Sequence, residues 1–167
     1  MHGGLRLVLD LGSMSKGGRL YMRRVIREMR IEDRKTVAEM MRVFYASSAV
    51  HTNGSEEIFE RDIDACLSDD PFLEGYVFED GGEILGYAMV AKSFSTEFGK
   101  PCIWIEDLYV KPEYRSGGLG GAFFPFLFQK YDGCVFRLEA ETENCGAVRL
   151  YERSGFDVLP YLELIKK

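Results

Sequence analysis

Apolar and polar positions along the chain predict an alternation of strands and helices. From residue 22 the apolar pattern becomes regular, and the stretch MRRVIREM, 22–29, predicts a first strand. A helix is predicted behind Asp33, a candidate N-cap, because four apolar residues recur there at helical spacing: Val37, Met40, Met41 and Phe44. A second helix is predicted from Ser55 for the same reason.

The rest of the chain predicts further strands and two more helices. The stretch GYVFEDGGEILGYAMVA, 75–91, predicts a hairpin because two apolar runs flank the turn sequence Asp80-Gly81-Gly82. The remaining predicted elements are a strand at 102–110, a helix at 122–131, a strand at 134–141, a helix at 144–155 and a last strand or hairpin at 156–167. This order predicts an α/β (α+β) domain with a central mixed sheet flanked by helices.

The N-terminal segment, 1–21, differs from this pattern. It is glycine-rich and weakly patterned, and we interpret it as an N-terminal extension or leader. Residues 22–167 are interpreted as a single domain, since a chain of 167 residues is long enough to bury a sizeable core.

Composition and charge narrow the classes of partner. The net charge of −6 argues against nucleic acid and favours a cationic substrate. No apolar run approaches the length of a membrane helix, so we expect no membrane association. The cysteines show no paired spacing and only two histidines are present, so we expect no metal site and reduced thiols in a cytoplasmic protein.

The stretch EYRSGGLGGAFF, 113–124, places a glycine-rich corner between a predicted strand and a helix. It lacks the lysine of a Walker loop, and Phe123 replaces the third glycine of a dinucleotide fingerprint. What remains is an RxxGxG pattern made by Arg115, Gly118 and Gly120. At a helix start, backbone N–H groups left bare by glycine can bind a pyrophosphate, although a plain tight turn would use the same residues.

A second motif lies in NCGAVRLYERSGF, 144–156. Asn144 and Tyr151 are seven residues apart, which is two helical turns, so both project from one face with the small Ala147 between them. An ordinary amphipathic helix that carries a tyrosine at its edge would show the same pattern.

Together, IEDLYVKPEYRSGGLG and the later Asn-x-x-Ala-x-x-Leu-Tyr-x-x-x-Gly-Phe resemble the motifs of the GNAT superfamily of N-acetyltransferases. The resemblance covers residues 23–167 and implies the GNAT acyl-coenzyme A N-acyltransferase fold, with a mostly antiparallel central sheet. It also implies acetyl-coenzyme A (acetyl-CoA) as co-substrate. The cofactor-binding residues that it implies are Leu108, Tyr109, Val110, Arg115, Ser116, Gly117, Gly118, Leu119, Gly120, Gly121, Asn144 and Ala147.

Acetyl transfer from a thioester to an amine needs a base for the amine, a donor to the carbonyl oxygen and an acid for the departing thiolate. The resemblance implies Tyr151 as the acid, Glu106 as the base and a backbone N–H near Leu108 as the donor. Glu106 and Asp107 stand in an apolar strand, whose alternation should turn one carboxylate into the cleft and the other away. Salt-bridged edge residues are the alternative interpretation of this pair.

The IEDLYV stretch is most similar to that of diamine and polyamine N-acetyltransferases, which implies a small cationic primary amine as the acceptor, acetylated directly in a ternary complex. The substrate-side candidates are Asp107, Glu139 and Tyr45. Amino acids, aminoglycoside-like antibiotics and protein N-termini stay open as acceptors, and a non-catalytic acyl-coenzyme A binding module is the alternative from another class. Many members of the family are dimers, so the resemblance also implies a homodimer.

Two positions depart from the family pattern. Ser116-Gly117 stands where a basic residue often precedes the key glycine, which removes a charged phosphate contact. Pro125 falls inside the predicted helix, where it cannot donate to the carbonyl of Gly121, so we expect a bent or loosened first turn.

Overall fold

Strand order in the sheet follows chain order. The computed structural model describes residues 6–9 and 24–166, and no side chain is described within 6–9. The strands are β1 (Arg6–Leu9), β2 (Arg24–Glu28), β3 (Leu73–Asp80), β4 (Glu83–Ser95), β5 (Lys100–Val110) and β6 (Val135–Leu138). All neighbours pair antiparallel except β5 and β6, which are parallel. The predicted mixed, mostly antiparallel sheet is therefore confirmed.

The helices cover both faces of this sheet. They are α1 (Arg34–Tyr45), α2 (Glu56–Leu67), α3 (Leu119–Lys130) and α4 (Cys145–Arg153), with single 3₁₀ turns at Ile31–Asp33 and Pro112–Tyr114. Apolar residues of α1 and α2 pack on one face, around the buried Tyr87 and Met89. Those of α3 and α4 pack on the other, around the buried Phe78 and Ile105. Each face thus has its own hydrophobic core.

A local sequence signal explains the start of α2, whereas α1 begins without the side-chain cap that its sequence predicts. The Ser55 hydroxyl accepts from the N–H of Ile58 at 3.3 Å, so Ser55 is the N-cap of α2, the helix predicted to begin at this residue. Asp33 occupies the N-cap position of α1, but its carboxylate accepts instead from the Arg30 N–H at 2.8 Å and from the guanidinium of Arg27 at 2.6 and 2.9 Å. The buried pair of Arg27 and Asp33 ties the entrance of α1 to β2.

A β-bulge interrupts the pairing of β4 with β5. Val90 lies opposite Ile105 and Met89 lies opposite Asp107, which leaves Glu106 as an extra residue on β5. Because a bulge shifts the alternation by one, Ile105 faces α3 while Asp107 faces α1.

Beyond the bulge β5 has one free edge. Its parallel pairing with β6 begins at Cys102 and Val135 and ends at Ile105 and Leu138. Within the described part of the chain, residues 106–110 therefore pair with β4 alone, and we call the gap on their other side the wedge. Backbone groups of β5 that point away from β4 lie along this gap.

Some predicted elements differ from the structure. The last strand, predicted at 156–167, is wrong for the described residues, because 156–166 hold neither helix nor strand. Pro160 cannot donate to a sheet, and Val158, Leu162 and Leu164 are all more than four-fifths exposed. Strand β6 ends at Leu138, so Glu139 lies just beyond it.

Helix α3 begins earlier than predicted and is continuous through Pro125. Pro125 is exposed, and so is Gly121, whose carbonyl loses the helical partner, so water can take the missing bond. Of the segment predicted to be an extension or leader, residues 6–9 pair with β2, and the rest lies outside the described residues. Within the described ranges no helix is long and apolar enough to cross a membrane.

Candidate active site

The glycine corner joins β5 to α3 and leaves the start of that helix bare. Gly118 is the N-cap, with a φ of 83°, and supplies no capping side chain. The first bond back into the helix runs from the N–H of Ala122 to the Gly118 carbonyl at 2.9 Å. The N–H groups of Leu119, Gly120 and Gly121 precede it, and at a helix N-terminus such groups attract anions.

Close packing explains two of the other glycines. A Cβ on Gly117 would lie 3.1 Å from the Tyr114 carbonyl oxygen, and the Gly117 carbonyl accepts from Arg24 at 2.9 Å. A Cβ on Gly120 would lie 3.0 Å from a methyl of Leu150 on α4. Ser116 has a φ of 60°, which is uncommon for a residue with a side chain. The corner is thus held by β2, its own turn and α4.

Arg115 lies between the corner and the wedge. Its Nε donates to the Val110 carbonyl at 2.9 Å, and its guanidinium carbon is 5.7 Å from the ring centroid of Tyr109. Since the Lys111 N–H bonds to Leu85 on β4, alternation turns the N–H and carbonyl of Leu108 and Val110 toward the wedge. The contact of Arg115 with the Val110 carbonyl agrees with that alternation.

The second motif begins α4 at the other side of the wedge. Asn144 is the N-cap, and its Oδ1 accepts from the Ala147 N–H at 3.3 Å. Tyr151 is half-buried, with edge-to-face contacts to Phe124 and Phe156 at 5.9 and 6.2 Å between ring centroids. Its hydroxyl has no hydrogen-bond partner among the described residues. Burial raises the pKa of Tyr151, so the phenol stays protonated at neutral pH and can donate.

The two acidic residues of β5 differ in their surroundings. Glu106, the bulge residue, is exposed, whereas Asp107 is only 4% exposed. The Asp107 carboxylate accepts from the hydroxyls of Tyr45 at 3.1 Å and Tyr87 at 2.8 Å. Burial raises the pKa of Asp107 to about 6, although these two hydrogen bonds oppose the shift.

Other carboxylates lie near Glu106 and affect its pKa. Partial desolvation, followed by the charges of Asp62 on α2 and Glu163, raises the pKa of Glu106. Desolvation, a hydrogen bond with Glu163 and the charges of Glu163 and Glu106 raise the pKa of Glu139 to about 7. The mouth of the wedge is therefore acidic.

The structure brings most of the predicted site residues to the wedge and its two ends. Tyr45 and Asp107 contact each other, with Tyr45 at the last position of α1. Sequence reasoning missed Tyr87 and Arg24, which act on the site from β4 and β2. A tyrosine inside a hairpin strand carries no local signal of such a role, because its partner is 20 positions away.

Comparisons with known proteins agree with this arrangement. Residues 36–156 match the acetyltransferase (GNAT) family. Thialysine N-epsilon-acetyltransferase of Sus scrofa is 31% identical over 144 residues, 78% of this chain and 82% of the relative. A crystal structure described as a possible acetyltransferase from Clostridium difficile 630 superposes with a TM-score of 0.74 at 22% identity, covering 86% of this chain and 97% of that one. The aminoglycoside N-acetyltransferase AAC(6')-Iy, in complex with CoA, superposes with a TM-score of 0.69 at 16% identity, covering 86% and 94%.

Proposed function

The chain belongs to the acetyltransferase (GNAT) family and is an acetyl-CoA-dependent N-acetyltransferase, and on this premise we propose that its acceptor is a small cationic amine of the diamine or polyamine type. The observation that carries the proposal is the acidic mouth of the wedge, where Glu106, Glu139 and Glu163 lie together. A substrate with two or more ammonium groups can pair one of them with these carboxylates. The relative named thialysine N-epsilon-acetyltransferase supports an amine acceptor.

The bare start of α3 and the free edge of β5 fit the two ends of the co-substrate. We propose that the N–H groups of Leu119, Gly120 and Gly121 bind the pyrophosphate, with the N–H groups of Ser116, Gly117 and Gly118 and the guanidinium of Arg115 beside them. Polar groups of the pantetheine arm would pair with the backbone of Leu108 and Val110 along the wedge, with Asn144 and Ala147 on its far side. The backbone groups of Tyr109, also expected from the sequence to bind the arm, point toward β4 instead, because Tyr109 lies opposite Tyr87. When bound, acetyl-CoA supplies an acetyl group activated as a thioester.

The chain's own residues would move the protons. We propose that Glu106 removes a proton from the ammonium group, directly or through one water, so that the neutral amine can attack. The N–H of Leu108 would donate to the carbonyl oxygen as negative charge develops there. The hydroxyl of Tyr151 would protonate the departing thiolate, a contribution of about 10²–10⁴ in rate for a general acid. Near neutral pH, Glu106 therefore needs a pKa that leaves it ionised, and Tyr151 needs a pKa that leaves it protonated.

An amine panel tests the acceptor. Thiol release from acetyl-CoA is measured with diamines, polyamines, lysine analogues, amino acids, aminoglycosides and a peptide N-terminus at matched concentrations. We expect the largest kcat/KM with a diamine or polyamine. Glu139→Gln and Glu163→Gln should raise KM for the diamine more than for a monoamine of equal length. Glu39→Gln, which removes an exposed carboxylate on α1, is the matched control. A preference for aminoglycosides or peptides, or equal effects of all three variants, would contradict the proposal.

We further propose a homodimer. Segment 156–166 carries apolar side chains that are almost fully exposed, among them Val158, Leu162, Leu164 and Ile165 at 82–89%. Strand β6, next to it in the fold, pairs on one edge alone within the described residues. A second copy that covers this surface would bury apolar area that a monomer leaves in water. Light scattering should give twice the chain mass, and Leu162→Glu with Leu164→Glu should halve it. A monomer at all concentrations would overturn this proposal.

A cytoplasmic location is proposed from thiol chemistry. The structure leaves all four cysteines free, with Cys102 buried and Cys145 exposed. Free thiols in this number are typical of reducing compartments. Retention of four reactive thiols in protein purified under native, alkylating conditions supports the proposal, and a disulfide found under those conditions would contradict it.

A further inference from the structure

The carboxylate of Asp107 is buried without a cation. Among the described residues no lysine, arginine or histidine pairs with it, and its two partners are the neutral hydroxyls of Tyr45 and Tyr87. Removing a carboxylate from water is costly, and two neutral donors offset that cost only in part. A buried carboxylate with this desolvation cost needs a structural or chemical reason. For Asp107 that reason lies in the geometry of β5.

The bulge and the two tyrosines are geometrically linked. In a regular strand Asp107 would lie on the same face as Ile105, inside the apolar core under α3. The extra residue at Glu106 turns Asp107 to the opposite face, where the two hydroxyls receive it. The tyrosines thus favour the bulged register over the regular one, because the regular register would bury the carboxylate among apolar side chains without donors.

The same contacts connect three elements at one point. Tyr87 is fully buried on β4, and Tyr45 ends α1 and packs against Phe59 of α2 at 5.2 Å between ring centroids. Asp107 lies where β5 separates from β6. Its position therefore determines the backbone path from the bulge into the wedge, including the N–H of Leu108.

We propose that Asp107 is a positioning residue, whose carboxylate sets the backbone geometry of the bulge on which Glu106 stands. The inference rests on the proposed function, in which Glu106 is the base and the Leu108 N–H is the donor. Asp107 itself touches neither the amine nor the thioester. Its effect reaches the reaction through the backbone, and Tyr87, which no substrate can contact, should share that effect.

The test compares Asp107→Asn, Tyr87→Phe and Tyr45→Phe in the full chain. Each variant should lower kcat by about 10- to 100-fold, the cost of a misplacement of about 1 Å, while KM for the amine changes by about twofold or less. Amide hydrogen exchange of residues 106–110 should accelerate in all three. The control is Tyr76→Phe, which removes another buried tyrosine hydroxyl bonded to a carboxylate, that of Glu74, on the opposite face. It should leave kcat and the exchange of 106–110 unchanged.

The pH dependence of kcat is a third readout. The titratable groups near Asp107 are Tyr45 on α1, Asp62 and Cys66 on α2, Tyr87 on β4 and Glu106 on β5. A displaced Glu106 should move the acid limb of the profile in the Tyr87→Phe variant, although that substitution removes no charge. A purely structural loss would lower the amount of folded enzyme and leave the limb in place.

The outcomes separate the alternatives. If Asp107→Asn raises KM for the amine and Tyr87→Phe changes nothing, Asp107 binds substrate and the positioning role is overturned. Unchanged kcat and exchange in all three variants overturn it as well. If the wild type turns over no amine, the proposed function fails, and the exchange measurement still decides whether Asp107 holds the bulge. If Asp107→Asn does not fold, Tyr87→Phe and Tyr45→Phe alone decide whether the positioning role holds.

Discussion

Tyr87 and Asp107 are joined by a hydrogen bond of 2.8 Å in a part of the sheet where neither side chain is accessible, with exposures of 0% and 4%. Desolvation and the hydroxyl donors act in opposite directions on the same carboxylate, and desolvation is the larger effect. The folded protein therefore binds a proton at Asp107 more tightly than the unfolded chain does.

The free energy of unfolding should therefore depend on pH over the range in which Asp107 titrates. The pKa of Asp107 rises from 3.8 to about 6 on folding, so its ionisation destabilises the folded state. This loss of stability develops as the pH rises through that interval. A shift of this size corresponds to about 3 kcal/mol at pH 7 relative to pH below 4. Asp107→Asn does not titrate, so the free energy of unfolding of the wild type minus that of the variant should fall between pH 4 and 7. Urea unfolding at each pH measures it, and parallel curves would contradict the assignment.

Glu106→Gln should move the acid limb of the pH–rate profile to higher pH. In the proposed mechanism, wild-type activity needs ionised Glu106, whose pKa lies above its ordinary value of 4.5. Without this base the rate depends on the fraction of amine that is already neutral, so it should rise about tenfold per pH unit below the pKa of the amine. Initial rates from pH 6 to 10 make the comparison. A variant profile that superposes on that of the wild type would assign the base to another group.

Tyr151→Phe should lower kcat far more than it weakens cofactor binding. The ring keeps its contacts with Phe124 and Phe156, so the local packing persists, and what is lost is the proton donor. A decrease of about 10²-fold or more in kcat is expected, with the dissociation constant of CoA changed by less than about threefold. Calorimetric titration with CoA supplies the binding constant. An unchanged kcat would exclude Tyr151 as the acid.

Two glycines of the corner should respond oppositely to alanine. Gly118 has a φ of 83°, where a Cβ costs about 1–2 kcal/mol, so Gly118→Ala should destabilise the fold and weaken CoA binding. Gly121 lies inside α3, and a Cβ there would meet nothing closer than 3.9 Å, so Gly121→Ala should stabilise the fold by about 0.5–1 kcal/mol. Thermal unfolding of the free protein compares them. Equal changes would show that backbone strain is not the reason for Gly118.

The sequence predicted those features that depend on neighbouring residues. Helix periodicity, the start of α2 at Ser55, the hairpin at Gly81-Gly82 and the glycine corner between strand and helix are all local, and the structure contains each of them. Contacts between distant positions were not predictable in this way. Arg24 donates to the carbonyl of Gly117, which is 93 positions away in the sequence, and no pattern around either residue predicts this contact.

The sequence also could not predict on which face of the sheet each side chain of β5 lies. Alternation predicted that Glu106 and Asp107 point to opposite sides, but not that a bulge changes the face of every residue after it. Apolar side chains in 156–166 predicted a strand, yet Pro160 and the absence of a paired register within the described residues leave that segment irregular. In both cases pairing with a neighbouring strand decided the result, and single-strand patterns contain no information on pairing.

The short contact between β5 and β6 has a thermodynamic consequence. Among the residues that the structure describes, only the pairs from Cys102 with Val135 to Ile105 with Leu138 join β6 to the rest of the sheet, so β6 and α4 depend largely on the packing of α3 for their attachment. A ligand lying in the wedge would add contacts on both sides and link the C-terminal third to the remainder. Cofactor binding would then act as an extension of the fold, raising the cooperativity of unfolding as well as its midpoint.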